Sequence, residues 1–190
     1  MNIIIFGGFL GSGKTSTILS LAHFIVEKGK KSDKPNLVII ENEIGEIGID
    51  DKVLKSSGYS VNELFSGCIC CTLSTDLVIM LNDISEKISP SWVIIECTGL
   101  AYPSKIINSL NKYGKGIESI STVTIIDSER WEELSTVAPV LVETQVAEGN
   151  TVLINKIDLI TEDELVHIKK DLAKINSKAK VHIISANISI

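Results

Sequence analysis

Along the 190 residues of this chain, short apolar runs alternate with longer stretches of helical character. "NIIIF" (2–6), "NLVIIE" (36–41), "SWVIIE" (91–96), "STVTIID" (121–127), "TVLIN" (151–155) and "VHIIS" (181–185) are brief and rich in β-branched residues. Runs that are apolar at nearly every position suit strands covered on both faces, as in a parallel sheet. "SVNELF" (60–65) is a weaker candidate of the same kind. Between the runs the pattern predicts helices over 14–28, 73–87, 103–111 and 162–175, with two further helical turns within 128–145. Gly29 is placed to stop the first helix, and "KKSDKPN" (30–36) reads as a surface turn. Strands alternating with helices define βαβ units, so the expected fold is α/β, with a mostly parallel central sheet flanked by helices. No repeat, low-complexity tract or linker interrupts the pattern, and residues 1–190 are expected to form a single domain.

Composition narrows the function classes. Hydrophobic residues make up 44% and charged residues 22%, the balance of a globular chain. With a net charge of −6 and no run of Lys or Arg, neither a nucleic-acid surface nor an anionic membrane surface is favoured. A small anion held by backbone amides is not excluded by that charge. The start "MNIIIFGG" lacks a basic leader region, and no apolar stretch reaches the roughly eighteen residues that span a bilayer. A cytoplasmic protein with reduced thiols is expected.

The first apolar run leads into "GFLGSGKTS", which contains the full G-x-x-x-x-G-K-[ST] pattern from Gly8 to Thr15. Its glycines let the backbone curl so that several amides converge on one point, and the following helix presents its positive N-terminus there. Lys14 can reach the β- and γ-phosphates of a nucleotide, and the Thr15 hydroxyl can bind Mg²⁺. A Gly-rich turn with an exposed lysine is the alternative. The pattern arises by chance on the order of once in a hundred chains of this length. Here it also falls between a strand and a helix, the context that phosphate binding requires.

Two more strand ends carry polar groups. "NKID" places Asn155, Lys156 and Asp158 after a late strand, where a carboxylate can accept from both N1–H and the exocyclic amine of guanine. Ser185 and Ala186 in "ISAN" resemble the loop that supplies a backbone contact to the guanine oxygen. Glu96 in "VIIECTGL" sits where a carboxylate can hold Mg²⁺ through water or orient an attacking water, and Gly99 lets the backbone swing toward a γ-phosphate. Asp127 lies at a similar strand end with less to support a role.

Three of the four cysteines, Cys68, Cys70 and Cys71, fall within "GCICC". Borderline-soft ions such as Zn²⁺ favour thiolates, so these can supply two or three ligands, with a Glu oxygen, a water or a partner's group completing the shell. Packing into a core and redox chemistry are the competing readings, although redox pairs usually show Cys-x-x-Cys at a helix start. Cys97 stands apart on an apolar strand edge and reads as core.

"GGFLGSGKTS", "IENEIGEIGID", "GCICCTL", "ECTGLAYP" and "NKID" occur in the order and rough spacing of the CobW-type metallochaperone GTPases, and from Gly7 to Asn187 the chain resembles that branch of the P-loop GTPases. The resemblance implies a three-layer P-loop NTPase fold and a GTP-dependent metallochaperone or metal insertase, handling zinc or, in some branches, cobalt or iron. It implies that Gly11, Ser12, Gly13, Lys14, Thr15 and Ser16 hold the phosphates, with Thr15 and Glu96 at Mg²⁺ and Gly99 in a second switch. Asn155, Lys156 and Asp158 would read guanine, and residues 41–50 would form the first switch. Cys68, Cys70 and Cys71, with Glu41, Glu43 or Glu46, would hold the transition metal. Relatives commonly continue into a smaller C-terminal domain, often with a histidine-rich segment, whereas this sequence stops at Ile190 with His23, His167 and His182 unclustered.

The expected activity is hydrolysis of GTP to GDP and phosphate with Lys14, Glu96 and Gly99 at the reacting end, coupled to delivery of Zn²⁺ or another divalent ion such as Co²⁺ to a client metalloprotein. Hydrolysis by the isolated chain should be slow, because the basic residues near the motifs are lysines and Arg130 lies elsewhere. A metal-storage or sensing module with incidental turnover is the second reading, and a small-metabolite kinase the third. The "NKID" stretch and the lack of a basic lid count against the kinase. Pairing of two copies across the switches is left open.

Overall fold

A computed structural model describes residues 1–29, 37–40, 74–99 and 102–185. The apolar runs form strands β1 (Asn2–Gly7), β2 (Leu37–Ile40), β3 (Trp92–Glu96), β4 (Ser119–Asp127), β5 (Thr151–Asn155) and β6 (Lys180–Ile183). They join into one sheet of order β2-β3-β1-β4-β5-β6, and every pairing among the described residues is parallel. The helices are α1 (Lys14–Gly29), α2 (Ser74–Lys87), α3 (Pro103–Tyr113), α4 (Trp131–Val137), α5 (Pro139–Ala147) and α6 (Glu162–Ile175). The expected α/β architecture is therefore borne out. The weak strand over 60–65 and the turn over 30–36 lie outside the described residues.

Strand parity explains the two covered faces. Ile3 and Ile5 of β1 pack with Val93 and Ile95 of β3 beneath Leu77 and Leu81 of α2 and Ile106 and Leu110 of α3. The alternate residue Phe6 faces the other way, with Ile94 and Ile125, onto Ile18 and Ala22 of α1. Ile126, Val152 and Ile154 extend the first face under Val142 and Val146 of α5 and Ile168 and Leu172 of α6. Burial on both faces removes the need for polar positions within the inner strands, which is why those runs read as continuously apolar. Strand β6, at the sheet edge, is the exception, with all four of its residues exposed although its run was expected to be covered.

Several boundaries differ from the expected ones: helix α3 runs on to Tyr113, and β6 spans Lys180–Ile183 rather than 181–185. Where two turns were expected in 128–145, the chain forms two helices broken at Ala138. Pro139 cannot continue α4, because it has no N–H and clashes with the preceding turn, yet it fits the first turn of α5. Strand β4 starts earlier than expected, at Ser119, whose hydroxyl donates to Asn2 Oδ1 at 2.6 Å. Helix α6 matches its expected span and opens with a capping box, in which Thr161 accepts from the Glu164 amide while the Glu164 carboxylate accepts from the Thr161 amide.

Candidate nucleotide site

The loop after β1 turns back on itself at the C-terminal edge of the sheet. Gly8 has φ +132°, and a Cβ there would fall 2.2 Å from the Ile125 carbonyl oxygen, so the turn is pressed against β4 and admits only glycine. Gly11 and Gly13 also adopt positive φ. The Ser12 amide closes the turn by donating to the Phe9 carbonyl at 3.2 Å, and the Thr17 amide begins the helical ladder on Gly13 at 3.0 Å. Ser12 is fully buried, and its Oγ has no hydrogen-bond partner among the described residues. Such a hydroxyl, together with amides unsatisfied at the start of a helix, is a donor set that an anion would complete. Lys14 is buried, and its ammonium donates to the Phe9 carbonyl at 3.1 Å, which folds the charge over the loop.

In the first turn of α1, Thr15 Oγ1 donates to Glu96 at 3.2 Å to Oε1 and 3.4 Å to Oε2. Glu96 is the last residue of β3 and is 9% exposed. A hydroxyl beside a carboxylate, with oxygen the only donor element, fits the hard-ligand preference of Mg²⁺. Gly99 lies just beyond, and a Cβ on it would come 2.9 Å from the Leu10 amide nitrogen. The residue thus packs directly on the phosphate loop. Ser16 occupies the first turn of α1 with its side chain half-buried.

The edge beside β5 is built from side chains. Asn155, 2% exposed, ends β5 and donates from Nδ2 to the Ser12 carbonyl at 2.8 Å, tying the late strand to the phosphate loop. Its own carbonyl accepts from the Ser128 amide at 3.0 Å and the Ser128 hydroxyl at 2.7 Å. Lys156 stands at φ 63°, ψ 32° in the left-handed region, and its ammonium meets Asp127 Oδ2 at 2.6 Å. The Asp127 side chain is buried and Lys156 is half-buried. The second Asp127 oxygen, Oδ1, has no partner among the described residues. Asp158 lies exposed in the short 3₁₀ turn Ile157–Leu159 and accepts the Ser185 hydroxyl at 2.6 Å. That hydroxyl first, and the residue's own amide second, hold the Asp158 carboxyl below its ordinary value.

Of the residues singled out in the sequence, the fold brings Gly11, Ser12, Gly13, Lys14, Thr15, Ser16, Glu96, Gly99, Asn155, Lys156, Asp158 and Ser185 to one edge of the sheet. Cys68, Cys70, Cys71, Glu41, Glu43, Glu46 and Ala186 lie outside the described residues. Cys97 is buried, in keeping with its reading as core. Among the described residues no group of three His, Cys, Asp or Glu is disposed to hold a metal, and no helix is long and apolar enough to cross a membrane. Sequence reasoning gave little weight to Asp127, whose importance is set by register: it pairs with Asn155 across β4 and β5, so its carboxylate arises beside Lys156. An acidic residue ending one buried strand and a lysine following the next was the available signal.

A glycine turn at the C-terminal edge of a parallel sheet, with a lysine and a threonine opening the next helix, defines a P-loop nucleotide-binding protein. The chain belongs to the CobW/HypB/UreG family, whose nucleotide-binding domain it matches over residues 2–183. It is 29% identical to the zinc chaperone YjiA of Escherichia coli K12, over 94% of this chain and 55% of that protein. To the zinc chaperone YeiR of the same organism it is 32% identical, over 82% of this chain and 46% of that one. The crystal structure of Zn(II)-bound YjiA GTPase from E. coli superposes with a TM-score of 0.61 at 26% identity, covering 96% of this chain and 57% of the other. The chain spans about half the length of the curated relatives it matches.

Proposed function

We propose that this chain is the GTP-binding and GTP-hydrolysing domain of a metallochaperone that couples its nucleotide state to the binding and transfer of zinc. The observation that carries the reading is the Asn155–Ser12 hydrogen bond of 2.8 Å, which unites the phosphate loop and the N-K-x-D turn in one site. Gly11 to Ser16 cradle the phosphates through backbone amides, with the Ser12 hydroxyl and the Lys14 ammonium as further donors. Asp158 reads guanine through two N–H groups, the Lys156 stem lies along the base, and Ser185 and Ala186 border its oxygen. When bound, Mg²⁺ supplies charge neutralisation at the β- and γ-phosphates, with Thr15 and Glu96 its protein ligands. Glu96 orients water at the reacting end, and the Gly99 amide faces the terminal phosphate.

Zinc is the cargo in this reading, held by Cys68, Cys70 and Cys71 with an oxygen from Glu41, Glu43 or Glu46. An open or mixed ligand set suits a carrier, which must release its ion to a client metalloprotein. The names of the relatives support zinc over Co²⁺. A reducing, cytoplasmic setting would keep the thiolates available. The test is GTP hydrolysis by the chain and its Lys14→Ala variant, alongside Zn²⁺ binding by Cys70→Ala. Lys14→Ala is expected to lose turnover by about a hundredfold or more, and Cys70→Ala to bind Zn²⁺ weakly with GTP binding intact. Unchanged zinc affinity in Cys70→Ala would remove the metal half of the reading. Equal turnover of GTP and ATP would remove the guanine half.

A further inference from the structure

Helix α5 sends two polar side chains to the exit of β3. Gln145 is 1% exposed, and its Nε2 donates to the Gly99 carbonyl at 3.0 Å. At the end of the same helix, Glu148 Oε2 accepts the Ser104 amide at 2.9 Å. Ser104 belongs to the first turn of α3, whose N-cap, Tyr102, makes no side-chain capping bond among the described residues. The Glu148 carboxylate therefore meets both an open N–H and the positive end of a helix. Two buried threonines of β4 hold α5 in place, Thr124 donating to the Gln145 carbonyl at 2.8 Å and Thr122 to the Glu148 carbonyl at 2.6 Å. Because β1 lies between β3 and β4, the Gln145 bond spans β1 to reach Gly99, which packs on the phosphate loop, and the Glu148 bond ties the same helix to α3.

Gly99 needs this restraint. Glycine has the widest freedom in ψ of any residue, so neither its own side chain nor local sterics fix the peptide that follows it. Its missing Cβ is what allows it to lie against the Leu10 amide. Breaking a buried hydrogen bond is costly, so the Gln145 bond to the Gly99 carbonyl resists rotation of that carbonyl. We infer that Gln145 and Glu148 are positioning residues for GTP hydrolysis, Gln145 fixing Gly99 against the phosphate loop and Glu148 fixing the first turn of α3. This rests on the GTPase reading of the site. Neither side chain needs to touch the nucleotide.

The test measures steady-state GTP hydrolysis, GDP affinity and thermal unfolding for the chain and for Gln145→Met, Glu148→Ala, Glu148→Gln and Lys14→Ala. Gln145→Met keeps length and volume but loses the donor, and is expected to lower kcat about tenfold with KM for GTP and Kd for GDP within about twofold. Glu148→Ala, at a half-buried position that tolerates truncation, is expected to lower kcat about threefold. Glu148→Gln, which keeps an acceptor oxygen, should restore most of that loss. An unchanged kcat in both Gln145→Met and Glu148→Ala overturns the positioning role, as does a fall in GDP affinity equal to the fall in kcat, which would mark general damage to the loop. If Gln145→Met fails to fold, Glu148→Ala with Glu148→Gln decides by the same criteria. Turnover by the wild-type chain no greater than by Lys14→Ala would instead overturn the GTPase reading itself, and this inference with it.

Discussion

The two ends of the nucleotide site are built on opposite plans. The proposed phosphate end is mostly backbone, positive-φ glycines and amides at a helix start, with one buried lysine side chain beside them. The proposed base end consists of side chains whose positions depend on other side chains, Lys156 on Asp127 and Asp158 on Ser185. Asn155 belongs to both, since its amide group reaches the Ser12 carbonyl. The difference teaches where each end is fragile. The phosphate end fails when space or backbone conformation is lost, whereas the base end fails when a partner is removed.

Gly8→Ala should have the largest effect. Its Cβ would meet a β4 carbonyl oxygen at 2.2 Å in a conformation that L-residues rarely adopt. We expect a loss of about 3 kcal/mol or more of stability, with nucleotide binding abolished, as read by thermal unfolding and GDP titration. Asp158→Asn should come next and spare the fold, because the residue is exposed. Guanine nucleotide affinity should fall on the order of a hundredfold, and xanthine nucleotides, with a carbonyl where guanine has an amine, should gain in competition. If both base types weaken equally, Asp158 does not read the base.

Asp127→Asn tests whether the base end depends on its supporting pair. Loss of charge opposite Lys156 should weaken GDP binding about tenfold and leave binding of inorganic triphosphate unaltered, which separates the two ends in one variant. Equal weakening of both ligands would mean that the pair supports the sheet edge as a whole. Ser185→Ala should be the mildest, about twofold in GDP affinity at neutral pH. Its signature is in the pH profile. The Asp158 carboxyl sits below its ordinary value of 3.8, so the ionised form, the one that would accept guanine in the proposed site, survives until pH falls through that lowered value. Removing the Ser185 hydroxyl takes away the largest cause, and the acid edge of GDP binding should move up toward 3.8.

The same contrast governs what could be read in the sequence. The phosphate loop was legible because its geometry is dictated by contiguous residues, glycines at fixed offsets between a strand and a helix. The inner strands were legible because burial on both faces leaves an unbroken apolar run, whereas β6 carries an apolar run on an exposed edge. Asp127 was only weakly legible, and Gln145 was not legible at all. Each acts through a partner brought near by strand order, Asp127 across the β4–β5 pairing and Gln145 across β1. The α4–α5 break was missed for a local reason, since Pro139 ends one helix and begins the next with a single residue between them.

The central claim is that the guanine nucleotide governs the affinity for zinc, and titration calorimetry of Zn²⁺ into the GDP-bound and GTP-analogue-bound chain tests it most directly. Coupling between two sites typically amounts to about 5- to 150-fold in affinity. We predict a Zn²⁺ Kd that differs between the two nucleotide states by a factor in that range, with the difference lost in Cys70→Ala. Equal zinc affinity in both states would contradict the account, because a ligand that binds two states equally shifts neither.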